Sequence, residues 1–250
     1  MVGVSIGVYI FQERLIFHPE RLSDKYKFAF EEEFEERFYK MEDGNSINAL
    51  FFKAENSKGI IYYHHGNAGN LESWGLKAVD FTSKGYDVLF YDYRGYGKST
   101  GKIKNEKMLF ADAAIIYKEL LYDYKERDII VYGTSLGTGI AAYIAHENHP
   151  HKLILETPYF NFYDVGKFHY PYLPNSILLN YHFKTDKYLP KIKGEVHLVH
   201  GTEDETVPYN SSVRLEVLSN NIKLFTIKDG SHNNLNSFKD YHNWLEAILN

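Results

Sequence analysis

Three side chains, widely separated along the 250 residues, have the types needed to make an activated nucleophile: Ser135, Asp204 and His232. A serine hydroxyl is a poor nucleophile near neutral pH. It becomes competent when an imidazole within hydrogen-bond reach takes its proton and an acid orients that imidazole. Ser135 is the centre of Gly133-Thr134-Ser135-Leu136-Gly137. The preceding run Asp128-Ile129-Ile130-Val131-Tyr132 reads as a short buried strand, and Thr138 to Ala145 as a small-residue helix. Gly-x-Ser-x-Gly between a strand and a helix is a nucleophile elbow. Its flanking positions need almost no side chain, because the strained turn sits close to its neighbours. The turn lifts the hydroxyl above the sheet and leaves it at the positive end of the helix, which favours developing negative charge.

The other two residues follow in the order acid, then base. His232 lies in Asp229-Gly230-Ser231-His232-Asn233-Asn234, after the last strand and before the last helix, where a loop can carry an imidazole back over the sheet. Asp204 lies in His200-Gly201-Thr202-Glu203-Asp204-Glu205-Thr206-Val207-Pro208, just past a strand. Its short side chain holds an imidazole more rigidly than Glu203 or Glu205 would, and Glu156, ending the preceding strand, is the alternative acid. Attack on a carbonyl also needs donors aimed at the oxyanion. The Leu136 amide is one. The Asn67 amide is the second, with Ala68 as alternative, in the glycine-containing loop His64-His65-Gly66-Asn67-Ala68-Gly69-Asn70.

Positioning these residues requires alternating strands and helices. Phe34 to Met41 and Ile47 to Phe52 read as a hairpin around Asp43-Gly44-Asn45. Gly59 to His64, Asp87 to Tyr91, Asp128 to Tyr132, Lys152 to Glu156, Glu195 to His200 and Ile222 to Ile227 read as strands. Leu71 to Lys84, Lys104 to Tyr124 and Leu235 to Leu249 read as helices. This rhythm predicts an α/β fold with a mostly parallel central sheet and helices on both faces. It falters from about 161 to 193, where aromatic residues and prolines replace the βα period. That stretch is read as a small cap with an aromatic underside above the strand ends, the alternative being a helical excursion whose aromatics only pack on the body. Phe160, Phe162, Tyr163 and Phe168 are the expected substrate contacts.

Composition narrows the function classes. With 44% hydrophobic and 24% charged residues the chain reads as an ordinary globular protein, and its net charge of −5 argues against nucleic acid as a partner. The absence of cysteine excludes disulfides, thiolate metal sites and a cysteine nucleophile. No metal or other cofactor is expected. His64 and His65 point to opposite faces of a strand, and His146, His149 and His151 straddle a helix end as solvated residues. The loop Asp92-Tyr93-Arg94-Gly95-Tyr96-Gly97-Lys98-Ser99 lacks phosphate-loop spacing; it is read as a rigid loop beside the site, with Asp92 paired to Arg94. Residues 1–20 form an apolar N-terminal segment ahead of a domain at 21–250. The run Val2 to Phe11 is short of the roughly 20 residues of a spanning helix and lacks signal-peptide flanks. Either it docks on the domain or it contacts a membrane surface, so the location is cytoplasmic or membrane-associated.

Taken together, these motifs resemble the α/β-hydrolase superfamily from about Glu13 to the C-terminus. They are similar to its serine-aminopeptidase-like branch, which includes protein depalmitoylases. The resemblance rests on His65 to Asn70, Asp92 to Ser99, Gly133 to Gly137, His200 to Asp204 and Gly230 to Asn233, and extends to Leu15-Ile16-Phe17-His18-Pro19. It implies an α/β-hydrolase fold and ester or thioester hydrolysis on an acyl chain, with membrane association where relatives carry a longer apolar span. The expected activity is a metal-independent serine hydrolase acting on carboxylic esters or acyl thioesters of short to medium chain length. Amide (peptidase) hydrolysis is the alternative, followed by an inactive hydrolase fold used for binding.

Overall fold

The computed structural model describes residues 12–174 and 178–250; the run Val2 to Phe11, on which the membrane reading falls, lies outside the described residues. The main sheet has, in chain order, β1 (Phe34–Lys40), β2 (Ser46–Phe52), β3 (Ile60–His64), β4 (Asp87–Tyr91), β5 (Ile129–Thr134), β6 (Lys152–Glu156), β7 (Glu195–Gly201) and β8 (Ile222–Ile227). Across the sheet they run β1-β2-β4-β3-β5-β6-β7-β8. β2 is antiparallel to β1 and β4, and the remaining pairs are parallel. Between them lie α1 (Leu71–Trp74), α2 (Ala78–Thr82), α3 (Glu106–Asp123), α4 (Gly137–Glu147), α5 (Phe162–His169), α6 (Thr185–Tyr188) and α7 (Asn210–Glu216), and α8 (Lys239–Leu249) follows β8.

Every residue of β3 and β4 is buried, because helices cover both sides of the sheet and leave no polar face for alternation to mark. Tyr62, Leu89, Val131 and Leu153 face the layer containing Ile116 of α3 and Ile140 of α4. Tyr63, Phe90, Tyr132 and Ile154 face Phe81 of α2 and Leu245 of α8. Strand order reverses direction about β3, which opens a crevice at the carboxyl ends of β3 and β5. The loops that carry His65 to Asn70 and Ser135 both leave from that crevice.

Three elements differ from the sequence reading. The helix expected over Leu71 to Lys84 is interrupted by a 3-10 turn at Gly75–Lys77. The ring of Phe30 presses on Gly75 so closely that a Cβ there would lie 2.5 Å from Phe30 Cζ. The helix expected from Leu235 begins as a 3-10 turn and becomes α-helical at Lys239. Helix α7 was not anticipated: its seven residues are too few and too polar to display a period.

The aromatics between 161 and 193 divide into two sets. Phe162 and Phe183 meet edge-to-face at 5.2 Å and pack on Tyr159, while Tyr181 stacks on Phe183. Tyr163, Phe168, Tyr170 and Tyr172 are exposed. Residues 12–16 are helical and dock on this same stretch. Buried Gln12 donates from Nε2 to the Leu178 carbonyl (3.2 Å) and accepts from the Asn180 amide (2.8 Å). His18–Pro19 then runs parallel beside Ala68–Gly69.

The end of β7 crosses the His232 loop at two glycines. A Cβ on Gly201 would lie 2.1 Å from the Gly230 carbonyl oxygen. Gly201→Ala is therefore expected to lower the unfolding free energy by about 2 kcal/mol or more, since backbone must move to admit the methyl. Urea unfolding followed by circular dichroism measures it, and a change under about 0.5 kcal/mol would mean that the crossing is not tight.

Candidate active site

Ser135 adopts φ +50°, a left-handed conformation that costs a side-chain-bearing residue about 1–3 kcal/mol. Two glycines hold it there by close approach, not by unusual torsions of their own. A Cβ on Gly137 would lie 2.1 Å from the His64 carbonyl oxygen, and one on Gly133 would lie 2.7 Å from Ala141 Cβ. The turn is closed by hydrogen bonds from the Ser135 amide to the Glu156 carbonyl (2.9 Å) and from the Thr138 amide and hydroxyl to the Ser135 carbonyl (3.0 and 2.7 Å).

The Ser135 hydroxyl lies 2.9 Å from Nε2 of His232, and Nδ1 of His232 lies 2.7 Å from Oδ2 of Asp204. Facing a carboxylate, Nδ1 carries the ring proton, which leaves Nε2 as the acceptor for the serine hydroxyl. Asp204 is buried at the end of β7 and accepts two more hydrogen bonds at Oδ1, from the Thr206 and Val207 amides (both 2.8 Å). A second imidazole, buried His200, reaches Oδ2 from the other side: its Nε2 lies 3.0 Å from that oxygen and 3.0 Å from the Val207 carbonyl. Two acceptors fix the proton on His200 Nε2, so its Nδ1 accepts from the Ser212 hydroxyl (2.6 Å). Burial alone would push the Asp204 carboxyl up. The hydrogen bonds from His200, His232 and the Val207 amide outweigh burial and hold it well below the usual carboxylate range. The sequence reading missed His200, although its four-residue spacing from Asp204 across the strand end is visible.

The alternative acids lie elsewhere. Glu203 and Glu205 are exposed. The Glu156 carboxylate turns beneath the sheet end, where it accepts from the Tyr132 and Tyr241 hydroxyls (2.5 and 2.9 Å) and faces Lys77 Nζ at 3.5 Å.

The loop after β3 stands against the serine: a Cβ on Gly66 would lie 3.8 Å from Ser135 Cβ. Its peptide planes are held by their carbonyls. His65 Nδ1 donates to the Gly66 carbonyl (2.7 Å), and the Tyr96 hydroxyl and His18 amide donate to the Asn67 carbonyl (2.8 and 2.9 Å). In a trans peptide the N–H points opposite the carbonyl, so fixing the Gly66 carbonyl also fixes the Asn67 amide. On the elbow side the Tyr159 hydroxyl donates to the Leu136 carbonyl (3.0 Å). None of these tyrosine contacts was anticipated. The aromatic count drew attention to the cap, whereas Tyr93, Tyr96 and Tyr159 are buried beside the site loops.

The expected Asp92–Arg94 pair does not form. Left-handed Gly95 and Gly97 reverse the chain after β4, and the two side chains leave in opposite directions. Arg94 forks onto Asp112 (2.6 and 2.7 Å) and also binds Asp43. Asp92 is buried under the Gly66 loop, accepts from the Leu71 amide (3.3 Å) and faces Nε2 of His65 at 3.5 Å. Nδ1 of that ring donates to the Gly66 carbonyl, and neither Nε2 nor the facing Asp92 Oδ1 has a hydrogen-bond partner among the described residues. Burial pushes the Asp92 carboxyl up. The expected substrate contacts scatter: Phe162 packs inward, Phe160 lies under the Arg214 guanidinium at 3.6 Å, and Tyr163 and Phe168 are exposed.

Known proteins resemble the chain over most of its length. Residues 55–171 match the family described as serine aminopeptidase, S33. Protein MT2364 of Mycobacterium tuberculosis is 30% identical over 211 residues, covering 83% of this chain and 75% of that protein. Human alpha/beta hydrolase domain-containing protein 17B is 28% identical over 211 residues, covering 82% and 72% respectively. A zebrafish (Danio rerio) lysophosphatidylserine lipase, ABHD12, is 31% identical over 183 residues, 64% of this chain and 47% of the lipase. Among solved structures, the Pyrococcus furiosus esterase Pf2001 superposes with a TM-score of 0.73 at 21% identity, covering 93% of this chain and 98% of the esterase.

The depressed Asp204 carboxyl carries a pH signature. A carboxyl lowered on folding contributes stability that is fully present above its unfolded value, about 3.9, and is lost as pH falls through the folded value. The difference in unfolding free energy between the parent and Asp204→Asn is thus expected to be largest near neutrality and to shrink progressively below about pH 4. Urea titrations of both proteins across that range check this. A difference that stays constant or grows on acidification contradicts it.

Proposed function

Since the chain belongs to the α/β-hydrolase superfamily, in its serine-aminopeptidase-like branch, we propose that it is a serine hydrolase cleaving carboxylic esters or acyl thioesters through Ser135, His232 and Asp204. The observation that carries this reading is the continuous hydrogen-bonded path from the Ser135 hydroxyl through His232 to the buried Asp204 carboxylate, at 2.9 and 2.7 Å. In the proposed mechanism Ser135 Oγ attacks the acyl carbon while His232 Nε2 takes its proton. The Asn67 and Leu136 amides hold the resulting oxyanion. The imidazolium then protonates the departing alcohol or thiol, leaving an acyl-serine. Water, deprotonated by the same imidazole, attacks that ester, and the carboxylic acid and free serine are restored. Asp204 stays ionised throughout and stabilises the imidazolium.

Short to medium acyl chains are the favoured substrates. The supporting features are the aromatic surroundings of the 161–193 stretch, together with the esterase and lipase names of the relatives. The S33 description favours amide hydrolysis as a second reading. Association with a membrane surface through the N-terminal segment remains part of the proposal.

Ser135→Ala is expected to lower kcat/KM for p-nitrophenyl esters by at least about 10³-fold while leaving the fold intact, and to abolish labelling by a fluorophosphonate probe. Parent-level hydrolysis by that variant would refute the mechanism. A parent protein that neither labels nor hydrolyses esters would instead assign the chain to the binding modules built on this fold. A length series of acyl esters, thioesters and amides ranks the substrate classes.

A further inference from the structure

A cavity of about 530 Å³ lies on the far side of the Gly66–Asn67 loop, and none of its lining residues is Ser135, Asp204 or His232. Tyr96 forms part of its wall while its hydroxyl holds the Asn67 carbonyl. Phe17 forms another part and packs edge-to-face on Tyr181 at 5.1 Å. Together with Ile103 these side chains give the cavity an apolar floor.

Its rim is basic. Arg14, Arg21, Arg94, Lys102 and Lys104 all line it, in a chain whose net charge is −5. Arg94, Lys102 and Lys104 also line a neighbouring cavity of about 390 Å³, so the two share a cationic wall. The carboxylates at hand are Glu13, which accepts from the Tyr181 hydroxyl (3.2 Å), and Asp43 and Asp112, both engaged by Arg94. Lys102 and Lys104 form no ion pair with any described residue. Glu13 is the one carboxylate among the lining residues and Arg94 is already held by Asp43 and Asp112, so Lys102 and Lys104 leave two positive charges without an ion pair among the described residues. Like charges gathered at this density repel one another unless an anion joins them.

We propose that this cavity binds a phosphate ester with an apolar or aromatic body. The two charges of Lys102 and Lys104 match a phosphomonoester dianion. Arginine forks and lysine ammonium groups are the side chains that recognise phosphate oxygens. The floor of Phe17, Tyr96 and Ile103 gives the organic part a surface that inorganic phosphate would not use. The site is independent of the hydrolytic reading, because it uses none of the residues assigned to bond cleavage.

Binding is measured by titration calorimetry on the full chain carrying Ser135→Ala, so that no probe is turned over. The probes are adenosine bisphosphate, monomeric dihexanoyl phosphatidic acid and inorganic phosphate. At least one organic ester is expected to bind about tenfold or more tighter than inorganic phosphate, and which one does so separates a nucleotide source from a lipid source. K102E combined with K104E is expected to weaken that binding about tenfold or more. Lys118→Glu, an exposed position on α3 away from the cavity, is expected to leave it within about twofold. Raising salt from about 50 to about 500 mM weakens binding in the protein without charge reversals, which gives an arm free of folding effects. The proposal is overturned if no probe binds, if inorganic phosphate binds as well as either ester, if salt has no effect, or if K102E/K104E changes nothing. It is equally overturned if Lys118→Glu weakens binding as much as the double reversal, because net charge alone would then be responsible. Hydrolysis by the parent protein is read separately, so failure here leaves the serine mechanism standing, and the converse holds.

Discussion

The backbone of α4 approaches the end of β3 so closely that nothing larger than hydrogen fits on Gly137. That steric constraint underlies the rest of the site. It sets the helix N-terminus beside the His64 and His65 carbonyls and forces Ser135 into a left-handed turn. The loop after β3 stands against the same serine, with a Cβ on Gly66 3.8 Å from Ser135 Cβ. The strain at Ser135 persists because the surrounding contacts over-determine it. The Glu156 carbonyl, the Thr138 hydroxyl and Tyr159 each engage a backbone group of the turn or of the residue beside it.

The same principle operates at the acid. Asp204 accepts from two amides and two imidazoles, so its carboxylate has no freedom to rotate away from His232. His200 is the unusual member. Its ring is buried and proton-bearing toward the carboxylate, and its other nitrogen is tied to α7 through Ser212. A helix that contributes no residue to the proposed bond-breaking steps thereby helps to orient the acid.

The parallel strands were legible because burial on both faces leaves short uninterrupted apolar runs, and Asp87–Tyr91 coincides with its sequence range. The convergence of Ser135, Asp204 and His232 was legible because each sits where a strand ends. What escaped were contacts fixed only in three dimensions. Local spacing pointed Arg94 toward Asp92, but its guanidinium is taken by Asp112 and Asp43 while Asp92 faces His65. A helical period ran through Gly75, but Phe30, distant in sequence, claimed the space. The tyrosine hydroxyls that hold the Asn67 and Leu136 carbonyls have no signature in sequence, because a buried phenol looks like any other aromatic until its partner is known.

Gln12 is bonded to residues more than 160 positions later, and six residues on, the His18 amide grips the loop that faces Ser135. Residues 12–18 are consequently a mechanical strut and not a detachable handle. Tension applied ahead of Gln12 would be shared between the aromatic stretch at 178–183 and the loop that stands against Ser135. Trimming the chain back to residue 20 would remove both grips at once.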